Sequence, residues 1–238
     1  MSIDSVIANV ITEIYLMSDC RYGYRKITAE LMRQNMLVNH KKVLRMMKAM
    51  NIQGLYPKKS ARTSIPLKGH KIYPYLLEGL LIVRVHQVWT TDITYIFIEN
   101  RFMYFIAIID LYSRYIISYE LSPHLEAGFC IYALKMALST ATPEIFNTDQ
   151  GSQFTSNDFI KELSTQDIKI SMDHKGRCFD NIFSERLWRT LKQEAIYYYR
   201  PANIAELDLV IKNFVDWYNN KRLHQSLGYK TPAEVYGK

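Results

Sequence analysis

With 238 residues and 48% apolar content, the chain can bury one substantial core plus a small satellite domain, and nothing in its composition marks disorder. No apolar run reaches the roughly 18 residues of a membrane span, the first twenty residues lack a cleavable signal pattern, and Cys20, Cys130 and Cys178 are too few and too scattered for a disulfide framework or a zinc ribbon. A cytoplasmic protein is expected, and its charge of +7 is uneven: residues 1–90 hold 14 Lys and Arg against 5 Asp and Glu, the remainder 16 against 18.

In chain order, apolar residues at spacings of three and four predict a helix over 3–17. A turn at Tyr22-Gly23-Tyr24-Arg25 leads to a second helix from Lys26 to Gln34. Asn39 is placed to cap a third helix, His40 to Met50, with Val43, Met46, Met47 and Met50 inward and Lys41, Lys42, Arg45 and Lys48 outward. This is the layout of a helix-turn-helix, in which such cations meet DNA phosphates; a small helical bundle with an ordinary charged exterior is the alternative. Residues 1–55 form this expected domain. Residues 56–84 carry Lys58, Lys59, Arg62, Lys68 and Lys71 among prolines with little apolar period, and read as a basic linker along DNA.

Residues 85–238 read as an α/β core. Strands are expected at Val88–Ile98, Phe102–Leu111 and Arg114–Leu121, then a helix entered at Ser122-Pro123 and running to Ser139. A short strand ends at Asp149, where Gly151 lets the backbone turn away, followed by a helix over Asn157–Leu163 and a strand over Ile168–Met172. A helix from Asn181 to Tyr198 would bury Phe183, Leu187, Trp188, Leu191 and Ala195, and leave Glu185, Arg189 and Lys192 along one border. Further packing helices follow Asn203 and the capping-box-like Thr231-Pro232-Ala233-Glu234. The order β-β-β-α-β-α-β-α is what a ribonuclease-H-like fold requires, a mixed sheet with helices on both faces.

Asp92 sits inside a strand, where a charge needs compensation, and a metal ion is the obvious source. With Asp149 and Glu185 it forms a D…D-x35-E pattern. Hard carboxylate oxygens suit Mg²⁺, and paired divalent ions suit in-line attack on a phosphodiester. Repulsion among the three acids is expected to raise at least one pKa. Asp110 reads as a buried partner of Arg114 that organises the sheet, and Asp180 as a helix cap. Trp89, Tyr95 and Phe154 read as core, with stacking on flipped end bases as the alternative.

The stretches Val88-Trp89-Thr90-Thr91-Asp92-Ile93-Thr94-Tyr95, Asn147-Thr148-Asp149-Gln150-Gly151, Lys175-Gly176-Arg177-Cys178-Phe179-Asp180-Asn181…Glu185 and Arg222-Leu223-His224-Gln225-Ser226-Leu227-Gly228-Tyr229 together resemble the integrase-type transposases of bacterial insertion sequences. The match is to the second-frame product of the IS-three family. The resemblance implies catalysis and metal binding by Asp92, Asp149 and Glu185, with two Mg²⁺ ions or Mn²⁺, the first Asp bridging both ions. DNA contact is expected of Lys41, Lys42, Arg45 and Lys48 on the third helix, of Lys175 and Arg177 in a basic loop for which solubility is the alternative role, and of Arg189 and Lys192 beside Glu185. The resemblance also implies nicking of element ends, strand transfer by the freed 3′-OH, a first-frame partner product and a homo-oligomer on DNA. Arg84-Val85-His86-Gln87 departs from the family's usual Arg-Pro-Asn-Gln, and the second-frame product commonly begins earlier. A hydrolytic nuclease with the same core and a DNA-binding repressor or inactive remnant are the competing readings.

Overall fold

The computed structural model describes residues 3–55, 72–174 and 182–237. Lys58, Lys59, Arg62, Lys68 and Lys71 of the expected linker, and Lys175, Arg177 and Asp180, lie outside the described residues. The chain divides into two compact units, residues 1–60 with 223–230, and residues 61–222 with 231–238.

The first unit contains α1 (Ile3–Met17), α2 (Tyr24–Arg33) and α3 (His40–Ala49). Each helix buries one stripe: Ile7, Ile11 and Ile14; Ile27 and Leu31; Val43 and Met47. The side chain of Asn39 accepts the Lys41 N–H at 2.8 Å and starts α3, as its position in the sequence predicts. Gly54 is required by close approach, since a Cβ there would stand 2.7 Å from the Gly23 nitrogen. Residues 223–230 add a 3₁₀ turn, Gln225–Leu227; the Leu223 N–H donates to the Tyr22 hydroxyl at 3.2 Å and Arg33 donates to the Tyr229 carbonyl.

The second unit is built on a five-stranded sheet of order β3-β2-β1-β4-β5: β1 (Val88–Ile98), β2 (Arg101–Asp110), β3 (Ile116–Ser122), β4 (Ile145–Thr148) and β5 (Lys169–Met172). The first three pair antiparallel; β4 lies parallel to β1, and β5 parallel to β4. Alternation splits the sheet into two faces. Trp89, Ile106, Ile108 and Phe146 enter a core with Cys130, Ala133 and Leu134 of α4 (Ala127–Leu138) and Phe159 and Leu163 of α5 (Asn157–Thr165). Phe105, on the opposite face, meets Trp188 of α6 (Ile182–Leu191) edge-on, with ring centroids 5.6 Å apart. A π-helical turn (Lys192–Ile196), α7 (Tyr197–Tyr199), α8 (Ile204–Asn220) and α9 (Pro232–Tyr236) complete the chain. Asn219 of α8 accepts the Ile116 N–H and donates to the Ile116 carbonyl, both at 2.9 Å, so the helix is fastened to the start of β3.

Three local expectations change. Strand β3 starts two residues late because Arg114 takes a left-handed φ of 66°. Helix α4 starts at Ala127, because the Ser122 hydroxyl bonds the backbone of His124 and holds the intervening residues in a turn. Asp110 is buried as expected, yet its oxygens accept from the Ser113 N–H and hydroxyl and from the His86 N–H, each at 2.7 Å. The Arg114 guanidinium instead donates to the Leu111 carbonyl and lies 3.8 Å over the Phe183 ring. His86 carries a φ of 61°, a conformation in which its N–H reaches Asp110, at the position where the family's usual Asn would tolerate the same backbone.

Candidate active site

Asp92 and Asp149 occupy neighbouring parallel strands. The register pairs Thr90 with Asn147, and carried two residues on it sets Asp149, just past the end of β4, against Asp92. Adjacent strands run about 4.8 Å apart. Asp92 accepts its own following N–H, that of Ile93, at 2.8 Å, and its second oxygen accepts the indole N–H of Trp188 at 2.9 Å. Asp149 accepts the Gly151 N–H at 2.9 Å. Gly151 serves here by absence of bulk, since a Cβ would stand 2.9 Å from that same carboxylate oxygen; its φ is not of the left-handed kind.

Burial pushes the Asp149 carboxyl above the ordinary aspartate range, and the Gly151 N–H opposes the shift. The rise expected from repulsion among the acids is present at Asp149, but its cause is loss of water. The Tyr95 phenol is raised by burial, then by Tyr104, Asp149 and Asp92, so both carboxylates act on one hydroxyl. The Cys130 thiol of α4 is pushed up to about 12, by burial first and by Asp149 second. A polar layer supports the pair: Asn147 donates to Asp173 at 2.7 Å, Ser171 donates to Asn147 at 2.8 Å, and Gln150 donates to the Asp173 carbonyl at 2.8 Å.

Glu185 is exposed in the first turn of α6, three residues before Trp188, so both lie along one side of the helix. Lys192, seven residues beyond Glu185, feels Asp92 as well; burial lowers its pKa and Asp92 raises it. Helix α6 thus meets Asp92 through Trp188, and Lys192 of the π-helical turn that follows feels the same carboxylate. Among the described residues, however, no three His, Cys, Asp or Glu side chains come close enough to hold a metal ion. Asp92 and Asp149 by themselves fit a hard divalent cation: their donors are oxygens, and burial has taken water away from the Asp149 carboxylate.

Of the remaining predicted residues, Arg189 is exposed on α6, and Lys41, Arg45 and Lys48 are exposed on α3. Lys42 is half-buried and paired with Asp4 at 2.6 Å. Trp89 and Phe154 are fully enclosed in the core, whereas Tyr95 is 47% exposed. Sequence reasoning missed the Trp188 indole N–H on Asp92, although a Trp three residues after the expected third acid was a visible signal. It also missed the Asn147–Ser171–Asp173 layer, which needs the β4–β5 register to be seen. Glu194 takes two 2.8 Å hydrogen bonds from Arg222.

Sheet order and flanking helices define a ribonuclease-H-like integrase core accompanied by a helix-turn-helix-like unit. Residues 83–178 and 166–232 match the integrase core domain family, and residues 3–60 match the HTH-like domain family. The chain is 31% identical over 94% of its length to the putative transposase InsK for insertion sequence element IS150 of Escherichia coli, covering 80% of that protein. It is 30% identical over 98% of its length to the transposase for insertion sequence element IS629 of Shigella sonnei, covering 79% of it. Its fold is shared with the HTLV-2 integrase catalytic core domain, solved in complex with magnesium, at a TM-score of 0.55 and 20% identity over 65% of this chain and 98% of that one. A chain of the simian T-cell lymphotropic virus intasome, solved in complex with PP2A regulatory subunit B56 gamma, matches at a TM-score of 0.59 and 16% identity over 96% of this chain and 74% of that one. The chain belongs to the integrase-core transposases of insertion sequences, a family whose function is DNA transposition. No described helix is long and apolar enough to cross a membrane.

Proposed function

We propose that the chain carries out transposition by divalent-metal-dependent cleavage at the ends of an insertion sequence followed by strand transfer, with Asp92, Asp149 and Glu185 as the catalytic acids. The observation that carries this reading is the alignment of Asp92 with Asp149 on parallel strands, with α6 held to Asp92 through Trp188. The three carboxylates would supply oxygen ligands to Mg²⁺ or Mn²⁺, which would relieve charge at phosphorus and lower the pKa of the attacking hydroxyl. Trp188 orients the Asp92 carboxylate by occupying one oxygen. Gly151 does the same for Asp149, leaving its second oxygen for a ligand. Arg189 and Lys192, about one and two turns on from Glu185, would meet phosphates of the bound strand, as would Lys175 and Arg177.

Residues 1–55 would act as the DNA-binding domain and residues 85–238 as the catalytic core, joined by the basic stretch 56–84. On α3, Lys41, Arg45 and Lys48 offer exposed cations, while Lys42 is engaged with Asp4. A homo-oligomer on DNA and a first-frame partner product complete the assembly in this reading.

The test uses purified protein, with and without Asp149→Ala, mixed with labelled DNA carrying the element's end and Mg²⁺. Strand-joined products lost in the variant are expected. Nicking without joining would favour a hydrolytic nuclease. Binding without cleavage, unchanged on adding the first-frame product, would favour a repressor or inactive remnant.

A further inference from the structure

The paired acids rest on a second set of polar side chains that no chemical step uses. Phe146, Ile170 and Met172 face the core under α4 and α5. Alternation therefore turns Asn147 and Ser171, and just past the strand ends Asp149 and Asp173, to the other face of β4 and β5. Asn147 is 1% exposed, Ser171 0% and Asp173 6%. Polar groups this deep in a sheet are costly unless each finds a partner, and apolar side chains would close a sheet end with less desolvation.

The hydrogen bonds of this layer run in one direction. The Leu76 N–H donates to the Ser171 hydroxyl oxygen at 3.0 Å, the hydroxyl donates to the Asn147 side-chain carbonyl at 2.8 Å, and the Asn147 amide donates to the Asp173 carboxylate at 2.7 Å. An ionised carboxylate only accepts, so the Asn147 amide has one orientation that satisfies both neighbours. The backbone of Asp173 then holds Asp149 from both sides. Its N–H donates at 2.9 Å to the carbonyl of Thr148, the residue before Asp149. Its carbonyl accepts at 2.8 Å from the side chain of Gln150, the residue after. The next residue, Gly151, supplies the N–H that the Asp149 carboxylate accepts, so a shift of Gln150 would carry that donor with it. A catalytic carboxylate has to be held within about 0.5 Å of its working place, and this bracket is a means of doing so.

We propose that Asn147, Asp173 and Gln150 are positioning residues for Asp149, setting its carboxylate where it takes up a divalent cation. This rests on the preceding reading of Asp149 as a metal ligand. A layer that merely kept β4 and β5 together would not need Gln150, whose bond lies beyond the last paired residues, Thr148 and Met172.

The test titrates Mn²⁺ into the full-length protein and reads the free ion by electron paramagnetic resonance, alongside urea unfolding of each variant without metal. Gln150→Met and Asn147→Leu should each weaken Mn²⁺ binding about ten-fold or more, the usual effect of removing an outer partner of a metal ligand. Asp173→Asn, which keeps an oxygen for the Asn147 amide and the same backbone, should bind close to the parent. In end-joining assays the half-saturating Mg²⁺ concentration should rise in the first two variants, while the rate at saturating Mg²⁺ recovers most of the parent's value. Should Asn147→Leu fail to fold, Gln150→Met, at a half-buried position, decides. Lower urea midpoints with unchanged Mn²⁺ affinity in the folded variants would overturn the proposal and leave the layer structural. So would a loss confined to Asp173→Asn, which would make its charge the cause. If Asp149→Ala binds Mn²⁺ as the parent does, the functional reading of Asp149 falls and the positioning role falls with it. If Asp149→Ala loses the ion and Gln150→Met does not, the positioning role falls alone.

Discussion

A carboxylate deprived of water and given a single N–H donor is held in a state that favours its protonated form. Asp149 is in that position, raised above the ordinary value of 3.8 by burial. The sign for stability follows from proton counts. Between 3.8 and the raised native value the folded chain binds more protons than the unfolded one, so stability declines as pH climbs through that window and stays reduced above it. Asp149→Asn should therefore melt a few degrees higher than the parent at pH 7 without added metal, and the advantage should vanish below pH 3.8, as thermal scans at the two pH values would show. Divalent cation should raise the parent's melting temperature and leave the variant's nearly unchanged. At Asp92 the informative change is Trp188→Phe, which retains the packing on Phe105 and removes the donor. A hydrogen bond to a charged group is worth about 1.5–3 kcal/mol, so a roughly ten- to hundred-fold slower joining rate is expected in single-turnover assays. Asp92 stood out in the sequence because a charge within an apolar strand has few explanations, and the β1–β4 register sets Asp149 beside it. The indole donor did not stand out, because it depends on how α6 is docked.

Helix α6 is fixed at three points along its length. Phe183 lies under the Arg114 guanidinium, Trp188 lies on Phe105 and Asp92, and just beyond the helix Glu194 takes the bidentate pair from Arg222. Arg114 is itself delivered by the turn that Asp110 ties together, and burial lowers its pKa while Tyr218 and Asp110 oppose the shift. Element types and order were readable because apolar spacing switches between two and about 3.6 at each boundary. The boundaries that moved, at β3 and α4, are set by side-chain to backbone bonds of Asp110 and Ser122, which periodicity does not register. The Asn219 clamp is of the same kind: a polar residue within an apolar stripe of α8 that satisfies both backbone groups of Ile116. Asn219→Ala would leave a buried N–H and a buried carbonyl without that partner. At about 1–3 kcal/mol each, it should lower urea stability by roughly 2–5 kcal/mol, measured as a shifted unfolding midpoint at unchanged slope. Asn219→Asp, which keeps the acceptor, should lose less than the full amount only at acid pH, where its oxygen is protonated and again able to donate.

At the scale of the molecule, the charge division seen in the sequence separates a cationic front from a near-neutral catalytic region, and that division guides how DNA binding should respond to salt. The assignment of residues 223–230 to the first unit was not legible, because it rests on the Tyr22 hydroxyl and the Arg33 guanidinium meeting backbone two hundred residues away in sequence. Nor was the unequal standing of the four cations on α3. Lys42 is tied to Asp4, whose pKa is lowered by the hydrogen bond and charge of Lys42 and further by Arg45, so part of the helix's positive field is already compensated. Counterion release makes this measurable, since each phosphate neutralised on duplex DNA contributes about 0.9 to the slope of log K against log salt. Lys41→Gln and Lys48→Gln should each lower the slope by close to that amount in anisotropy titrations with duplex DNA. Lys42→Gln should lower it by less, because a cation already held by a carboxylate releases fewer counterions. Asp4→Asn should move the other way, steepening the slope and tightening binding at low salt, with the gain disappearing as screening rises. Equal losses at all three lysines, with no effect of Asp4→Asn, would mean that the Asp4–Lys42 pair opens on DNA, and that α3 presents its cations to phosphate without regard to the partner each has in the free protein.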